Sequence, residues 1–261
     1  MLLSEKQMRR YQDQGYILLP EYLDHEEVCV LRAEAEALFK QKRNEISTEP
    51  GGAARTAFAP HFYSDVYAAL VRHPRLVSPA FQLLEEQAYL NQVKMHALPA
   101  FAGVGFNWHQ DYGTAWKLVD GMSSDRALSV AVFIDEVRTT NSPVMVIPGS
   151  HKYGDIKAVE NTASDRPRFV PDRTVVAKLA NDRGIELCSG AAGSVLIFHA
   201  NLVHGSSNNI TPWHRKSIYI SYAALSNKSS PAAHRKPWIA LRDYNPVAAL
   251  DVDCLRQFVA G

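Results

Sequence analysis

The chain has 261 residues, of which 46% are hydrophobic and 21% charged, and its formal net charge at pH 7 is +1. This length and composition are typical of a globular protein with one sizeable core, and the near-zero charge gives no support for nucleic acid or a membrane surface as partner. Three widely spaced cysteines, no apolar leader and no long apolar run predict a cytoplasmic protein with free thiols and no transmembrane helix, either a monomer or a homodimer.

The first part of the chain, residues 1–87, is predicted to be mainly helical. Ser4 followed by Gln7 is a capping-box pattern, and Asp24 can cap a second helix whose apolar residues recur at helical spacing. A stretch rich in Gly, Pro, Ser and Thr separates this pair of helices from the next pair. We predict helices over 4–14, 24–43, 65–72 and 74–86, a strand over 15–23 and a loop over 44–60.

Short β-rich runs separated by turn signals dominate residues 88–225. Helices followed by many short strands predict a mainly β protein with helices outside, a double-sheet jelly roll also described as a cupin-like double-stranded β-helix. We expect a single domain over 1–261. A polar, charged segment, 152–184, interrupts the strands and is a candidate lid. The β-rich runs read AYLNQVKMHAL, RALSVAVFIDEV, SPVMVIPGS, GSVLIFHANLVHGS and KSIYISYAAL.

A candidate metal site begins in the stretch FNWHQDYGTAW, where His109 and Asp111 are one residue apart. On a strand, alternate residues share a face, so both side chains can point inward. From the pair alone, a hydrogen-bonded histidine near a strand end is the favoured interpretation. His204 ends a distant β-rich run and would complete the set of two histidines and one carboxylate that binds non-haem Fe(II). Zinc hydrolases also use two histidines and a carboxylate.

Arg215 follows His204 by eleven residues and enters the next predicted strand. A dicarboxylate co-substrate that chelates iron needs a cation at its far end, and the planar guanidinium pairs well with a carboxylate. An antiparallel return of the chain would bring Arg215 close to the metal. The alternative is an arginine at the surface or in a salt bridge. Because this candidate arginine is present, Fe(II) is favoured over zinc.

Five motifs in order, WHQD, DGM, PGSHK, VHGS and Arg215, resemble those of the phytanoyl-CoA dioxygenase family. The similarity extends over nearly the whole chain and is strongest to the branch of ectoine, proline and leucine hydroxylases. It implies a jelly-roll fold and a hydroxylase that uses Fe(II), 2-oxoglutarate and dioxygen. It also implies that His109, Asp111 and His204 hold the iron. Related halogenases replace the carboxylate with a small residue, so Asp111 disfavours halogenation.

The resemblance implies further contacts around the iron. Arg215 would bind the distal carboxylate of 2-oxoglutarate with Ser206 nearby, and Gln92 would line the pocket. The branch usually has an asparagine that contacts the co-substrate where this chain has His96. A hydrogen-bonding role for His96 is favoured over a role as spare metal ligand.

Three residues are candidates for substrate contacts. Lys94 shares a predicted strand with Gln92, and Arg242 lies in the family-like segment ALRDYNP. Either cation could meet an anionic group of the substrate, and Arg242 could equally form a structural ion pair. Trp116 could form an aromatic wall or simply fill the core, and either Ala115 or Trp116 occupies the tryptophan position of the branch.

The predicted function is hydroxylation of an unactivated carbon in a small polar molecule, a free amino acid or a metabolite derived from one. The alternatives within the same chemistry are a secondary-metabolite or carrier-bound substrate, and desaturation or epoxidation in place of hydroxylation. The alternatives of another class are a non-catalytic jelly-roll protein that binds a metal or ligand, and a zinc hydrolase.

Overall fold

The computed structural model describes residues 1–49, 51–161, 169–230 and 235–259. No helix in these ranges has both the length and the apolar character needed to cross a membrane. The α-helices are α1 (Glu5–Gln14), α2 (His25–Leu38), α3 (Asp65–Leu70), α4 (Pro74–Leu84) and α5 (Arg173–Arg183). The strands are β1 (Tyr16–Leu19), β2 (Ile46–Thr48), β3 (Ala54–Phe58), β4 (Ala88–Leu98), β5 (Phe106–His109), β6 (Ala127–Phe133), β7 (Val144–Val146), β8 (Ala158–Glu160), β9 (Phe169–Pro171), β10 (Glu186–Cys188), β11 (Val195–His199), β12 (His204–Ser206) and β13 (Arg215–Ala224). Short 3-10 helices cover Pro60–Phe62, Ser150–Tyr153 and Arg256–Phe258, and a π-helix covers Asp111–Trp116.

The helices predicted in the first part of the chain are present, but α3 and α4 each end two residues earlier than predicted and α2 ends five residues earlier. The capping boxes of Ser4 and Asp24 form as their sequences indicate. Helix α2 ends at Leu38, short of the predicted residue 43, because Leu38 is its last buried residue. The polar residues after it have no core to pack against, and packing is what stabilises most helices in proteins.

The predicted loop over 44–60 is wrong, because β2 and β3 form a hairpin there. Strand β3 pairs with β4, with Thr56 opposite His96 and Phe58 opposite Lys94. The strands are short and polar, so the sequence lacks the alternation that signals a strand. Pairing with β4 stabilises β3, and β3 in turn pairs with β2. Residues 1–87 are therefore not helical throughout, since β1, β2 and β3 belong to the main sheet.

Two antiparallel sheets face each other. The larger sheet has the order β1-β11-β6-β13-β4-β3-β2, and the smaller has the order β10-β7-β12-β5. Central strands of the larger sheet are buried on both faces: on β6, Val130 and Val132 pack toward the helices, while Ala131 and Phe133 pack with Val146 of the smaller sheet. The predicted double-sheet architecture with helices outside is confirmed.

The segment proposed as a lid, 152–184, contains β8, β9 and α5. Residues 162–168 of this segment lie outside the described residues. Phe169 on β9 lines the cavity described below, so the segment reaches that cavity. Closure of this segment over the cavity stays a prediction.

Candidate metal centre

His109, Asp111 and His204 meet where β5 and β12 pair at the edge of the smaller sheet. His204 lies directly opposite His109 in this pair, and their ring centroids are 4.1 Å apart. The sequence predicts that Asp111 lies on the same strand as His109. In the structure, Asp111 is instead the first residue of the π-helix. The tight turn into this helix brings its carboxylate back toward the histidines, and such helices are frequent at functional sites.

The three side chains have the geometry of a metal site. One ligand atom from each lies within 4.8 Å of the others, and Nε2 of His109 is 3.8 Å from Oδ1 of Asp111. Among the described residues this is the one group of histidine, cysteine or carboxylate side chains so arranged. Two imidazoles and one carboxylate on one side leave the other side of a metal open to further ligands.

Hydrogen bonds to neighbouring groups fix the orientation of these side chains. The Nδ1 atoms of His109 and His204 lie 2.8 and 2.9 Å from the carbonyl oxygens of Asn107 and Leu202. A carbonyl oxygen can only accept, so each Nδ1 carries the proton and each Nε2 presents a lone pair. Oδ2 of Asp111 accepts a hydrogen bond of 2.9 Å from Ser129. This arrangement matches the outer contacts that orient metal ligands.

The protonation states also suit a metal. Burial, followed by the neighbouring His204, lowers the pKa of His109 to about 3, and burial lowers the pKa of His204. Burial raises the pKa of Asp111, but the charge of Lys94 first, and then both histidines, bring it below its usual value. Neutral imidazoles and an ionised carboxylate are the forms that bind a metal.

A cavity of about 500 Å³ opens over the metal-binding side chains, between the two sheets. Its size lies in the range of small-molecule sites. Most of the residues singled out in the sequence reach it. Besides the three candidate ligands, the predicted residues that line the cavity are Gln92, Lys94, His96, Trp116 and Ser206, with Ala115 beside Trp116.

Arg215 lies behind one end of the cavity and is only 1% exposed. Its Nη2 donates a hydrogen bond of 3.0 Å to the hydroxyl of Tyr219, which lines the cavity. Its Nε is buried without a hydrogen-bond partner, and no carboxylate of the described residues pairs with the guanidinium. A buried charge without a partner is costly, so this end of the cavity fits an anionic ligand.

Ser217 was missed by the sequence reasoning. It lies two residues after Arg215 on β13, which places both on the same face of the strand. Its Oγ is fully buried and has no hydrogen-bond partner, and the same is true of the Nε of Arg215. These two buried polar groups without partners lie on the strand face that carries the cavity-lining Tyr219, and they fit a carboxylate that would satisfy both. The period of two along the strand was the signal that could have found Ser217.

His96 is a hydrogen-bonding residue and not part of the metal-binding group. Its Nδ1 lies 2.9 Å from Oγ1 of Thr56, and its ring packs on Phe106 and Tyr219. Burial, followed by the charges of Lys94 and Arg215, holds its pKa well below the usual value, so the ring is neutral.

Arg235 also lines the cavity, and the sequence reasoning missed it. Its guanidinium pairs with the fully buried carboxylate of Asp120, in the DGM motif. Arg242 lies outside the lining and donates to the carbonyl oxygen of Arg235. Gln92 donates a hydrogen bond of 2.6 Å to the carbonyl oxygen of Ile239. Gln92 therefore holds the segment that follows Arg235 against the cavity.

Trp116 belongs to the hydrophobic core and also forms part of the cavity wall. It is 1% exposed and packs in a cluster with Tyr89 and Tyr112, and it also lines the cavity. Lys94 lies near Asp111, whose negative charge opposes the lowering of the lysine pKa by burial. Lys94 is therefore close to the metal-binding end of the cavity.

Known proteins are similar to this chain in sequence. An ectoine dioxygenase of Bordetella bronchiseptica is 38% identical over 242 residues, which cover 88% of this chain and 78% of that protein. An L-proline trans-4-hydroxylase of Streptomyces griseoviridis is 33% identical over 259 residues, which cover 94% of this chain and 96% of that protein.

Solved structures of related proteins are also similar to this chain. EctD from S. alaskensis, solved with 2-oxoglutarate and 5-hydroxyectoine, superposes with a TM-score of 0.84 at 33% identity, over 95% of this chain and 87% of that chain. The same protein solved with bound Fe also gives a TM-score of 0.84. The predicted jelly-roll fold is thereby confirmed. The sequence profile of the phytanoyl-CoA dioxygenase (PhyH) family matches residues 11–245. The chain belongs to the phytanoyl-CoA dioxygenase family.

Proposed function

We propose that the protein is an Fe(II)- and 2-oxoglutarate-dependent dioxygenase that hydroxylates a small substrate derived from an amino acid. One observation carries the proposal. Arg215 is a buried guanidinium without a carboxylate partner among the described residues, and it lies at the end of the cavity that holds His109, Asp111 and His204. A metal site alone would not need such an arginine, but a chelating dicarboxylate does.

His109, Asp111 and His204 hold the iron, each through the atom that its hydrogen bonds leave free. Iron supplies the oxidation, in which 2-oxoglutarate and dioxygen yield succinate, carbon dioxide and a hydroxylated product. Arg215 binds the distal carboxylate of 2-oxoglutarate, and Ser206 lies within the same cavity. Ser217 offers the carboxylate a further hydrogen bond through its unpartnered Oγ.

The remaining cavity residues orient the substrate and exclude water. Trp116 and Phe198 give the cavity apolar walls, and a site emptied of water strengthens every charged contact inside it. Arg235 faces the cavity from a fixed pairing with Asp120, which suits it to hold a substrate carboxylate in one orientation. Lys94 is a further cation of the lining, and its place near Asp111 favours a carboxylate close to the metal.

The size and chemistry of the substrate follow from the cavity and the relatives. The cavity of about 500 Å³ also has to hold 2-oxoglutarate, so the space that remains fits a molecule of amino-acid size. Relatives named for ectoine and for L-proline carry out hydroxylation or dioxygenation of such molecules. A free amino acid or a cyclic derivative of one is therefore the proposed substrate class.

The proposal is tested by following succinate formation with the Fe(II)-loaded protein. A panel containing ectoine, L-proline, L-leucine and the other protein amino acids is offered with 2-oxoglutarate, with and without dioxygen. We expect one class of compound to raise succinate release in air, together with a product heavier by one oxygen atom. Conversion of a compound without dioxygen and without succinate release would favour the zinc hydrolase. Iron binding with no compound stimulating turnover would favour the non-catalytic binding protein.

A further inference from the structure

Gln110, the residue between two proposed metal ligands, has a fully buried side chain that serves neither as ligand nor as cavity lining. Its Nε2 donates hydrogen bonds of 2.9 and 2.7 Å to the carbonyl oxygens of Gly154 and Asn201. Its Oε1 accepts a bond of 3.0 Å from the backbone N–H of Ile156. Both ends of the amide are therefore engaged with backbone.

These hydrogen bonds join three separate segments. Gln110 itself links His109 to Asp111, and Asn201 lies three residues before His204. Gly154 and Ile156 follow the 3-10 helix that ends at Tyr153, at the start of the segment proposed as a lid. One buried amide thus fixes the distance between the two chain segments that supply all three proposed ligands.

Two residues of the π-helix, Gly113 and Thr114, lie against Gln110. A Cβ placed on Gly113 would approach Oε1 of Gln110 to 2.7 Å, and it would meet no other residue closely. The φ angle of Gly113 is not positive, so the backbone itself would accept alanine at this position. Thr114 donates its hydroxyl to the backbone oxygen of Gln110 at 2.5 Å. The absence of a side chain at Gly113 leaves room for the amide to stay in place.

We propose that Gln110 is a positioning residue that sets the spacing of the metal ligands by holding the segments of residues 109–111 and 201–204 together. The inference rests on the proposed metal site. Only an amide can donate to two carbonyls while accepting from an N–H in this geometry. A glutamate would set its oxygen against two carbonyls, and a leucine would leave three buried backbone groups unpaired.

Two substitutions disturb the amide from different sides. Gln110→Leu removes all three hydrogen bonds, and Gly113→Ala displaces Oε1 while the glutamine is still present. Gln82→Leu is the matched control, because Gln82 also uses its amide to bind backbone, donating to and accepting from Leu3 far from the cavity. This control loses the same kind of contact without touching the metal-binding segments.

The measurement is a titration of metal-free protein with Co(II), read through its visible d–d spectrum, with thermal unfolding recorded for each variant. We expect Gln110→Leu and Gly113→Ala each to weaken Co(II) binding about 10-fold or more and to alter the spectrum of the bound ion. Gln82→Leu should lower thermal stability with unchanged affinity and spectrum. The double variant should bind no more weakly than Gln110→Leu, because both changes act on one amide.

Gln110→Leu that binds Co(II) within twofold of the wild type, with the same spectrum, would overturn the inference. So would a Gln82→Leu variant that weakens Co(II) binding as much as Gln110→Leu, because the effect would then follow stability and not position. Failure of the wild-type protein to bind Co(II) is a different outcome, and it would overturn the proposed metal site itself.

Discussion

Replacing Arg215 with methionine removes the proposed anchor of 2-oxoglutarate while keeping an unbranched side chain of similar length. The guanidinium is buried and donates a hydrogen bond to Tyr219, and no carboxylate of the described residues pairs with it, so little of the fold depends on it. A hydrogen bond to a charged group contributes about 1.5–3 kcal/mol, and a bidentate pair has two. A loss of about 3 kcal/mol or more corresponds to at least about 100-fold weaker binding.

The assay compares 2-oxoglutarate with 2-oxopentanoate, which has the same chain length but no distal carboxylate. Both are titrated anaerobically into the Fe(II) protein, and the visible charge-transfer band of the bound 2-oxo acid is followed. The wild type should prefer 2-oxoglutarate by about 100-fold, whereas Arg215→Met should bind both acids with similar affinity. Arg235→Met, which removes an arginine that lines the cavity, should leave the preference intact. An Arg215→Met variant that still prefers 2-oxoglutarate would refute the assignment.

Three further predictions concern the metal and the stability of the fold. Ser129→Ala removes the hydrogen bond to Asp111 and should weaken metal binding about 10-fold, as a Co(II) titration can show, whereas an unchanged affinity would contradict the proposed role. A chelator should lower the melting temperature of the metal-loaded wild type and leave that of Asp111→Ala unchanged, because only a protein that binds the metal is stabilised by it. Burial raises the pKa of Glu27, but hydrogen bonds from His73, the Asp24 backbone and Arg75 bring it down to about 2. Ionised Glu27 therefore stabilises the fold above its unfolded-state pKa near 4.5, and this contribution, about 3 kcal/mol, is lost as the pH falls toward 2. The stability gap between wild type and Glu27→Gln, measured by denaturant unfolding, should accordingly be largest near neutral pH and shrink below pH 4.5, and a gap independent of pH would contradict the role of the charge.

The sequence predicts best what depends on local pattern. Capping residues such as Ser4 and Asp24 act within one helical turn, so the starts of α1 and α2 can be read directly. The long strand β4 alternates polar and apolar residues from Gln92 to Ala97, and its bounds agree with the predicted run. The three candidate ligands can be found from the sequence because His109 and Asp111 are one residue apart and His204 ends a β-rich run.

Features that depend on distant partners are not encoded in a local pattern. Strand β3 is held by pairing with β4, and β2 by pairing with β3, and the sequence between residues 44 and 60 does not show either pairing. Arg235 is recognisable only through its contact with Asp120, 115 residues away. Asp111 enters a π-helix and not a strand, because buried contacts around Gln110 favour that turn. The sequence therefore identifies Asp111 as a candidate ligand, but the argument from strand alternation that led to it is incorrect.

The central claim is that His109, Asp111 and His204 hold Fe(II) while 2-oxoglutarate chelates it. The most direct test is an anaerobic titration of the metal-free protein with Fe(II) and 2-oxoglutarate, with His204→Ala and His151→Ala beside it. His151 is a matched control, because it contacts Gln12 and His199 outside the cavity. The account predicts a weak visible charge-transfer band in the wild type and in His151→Ala, and none in His204→Ala. A wild-type protein that has bound iron but shows no band would contradict it.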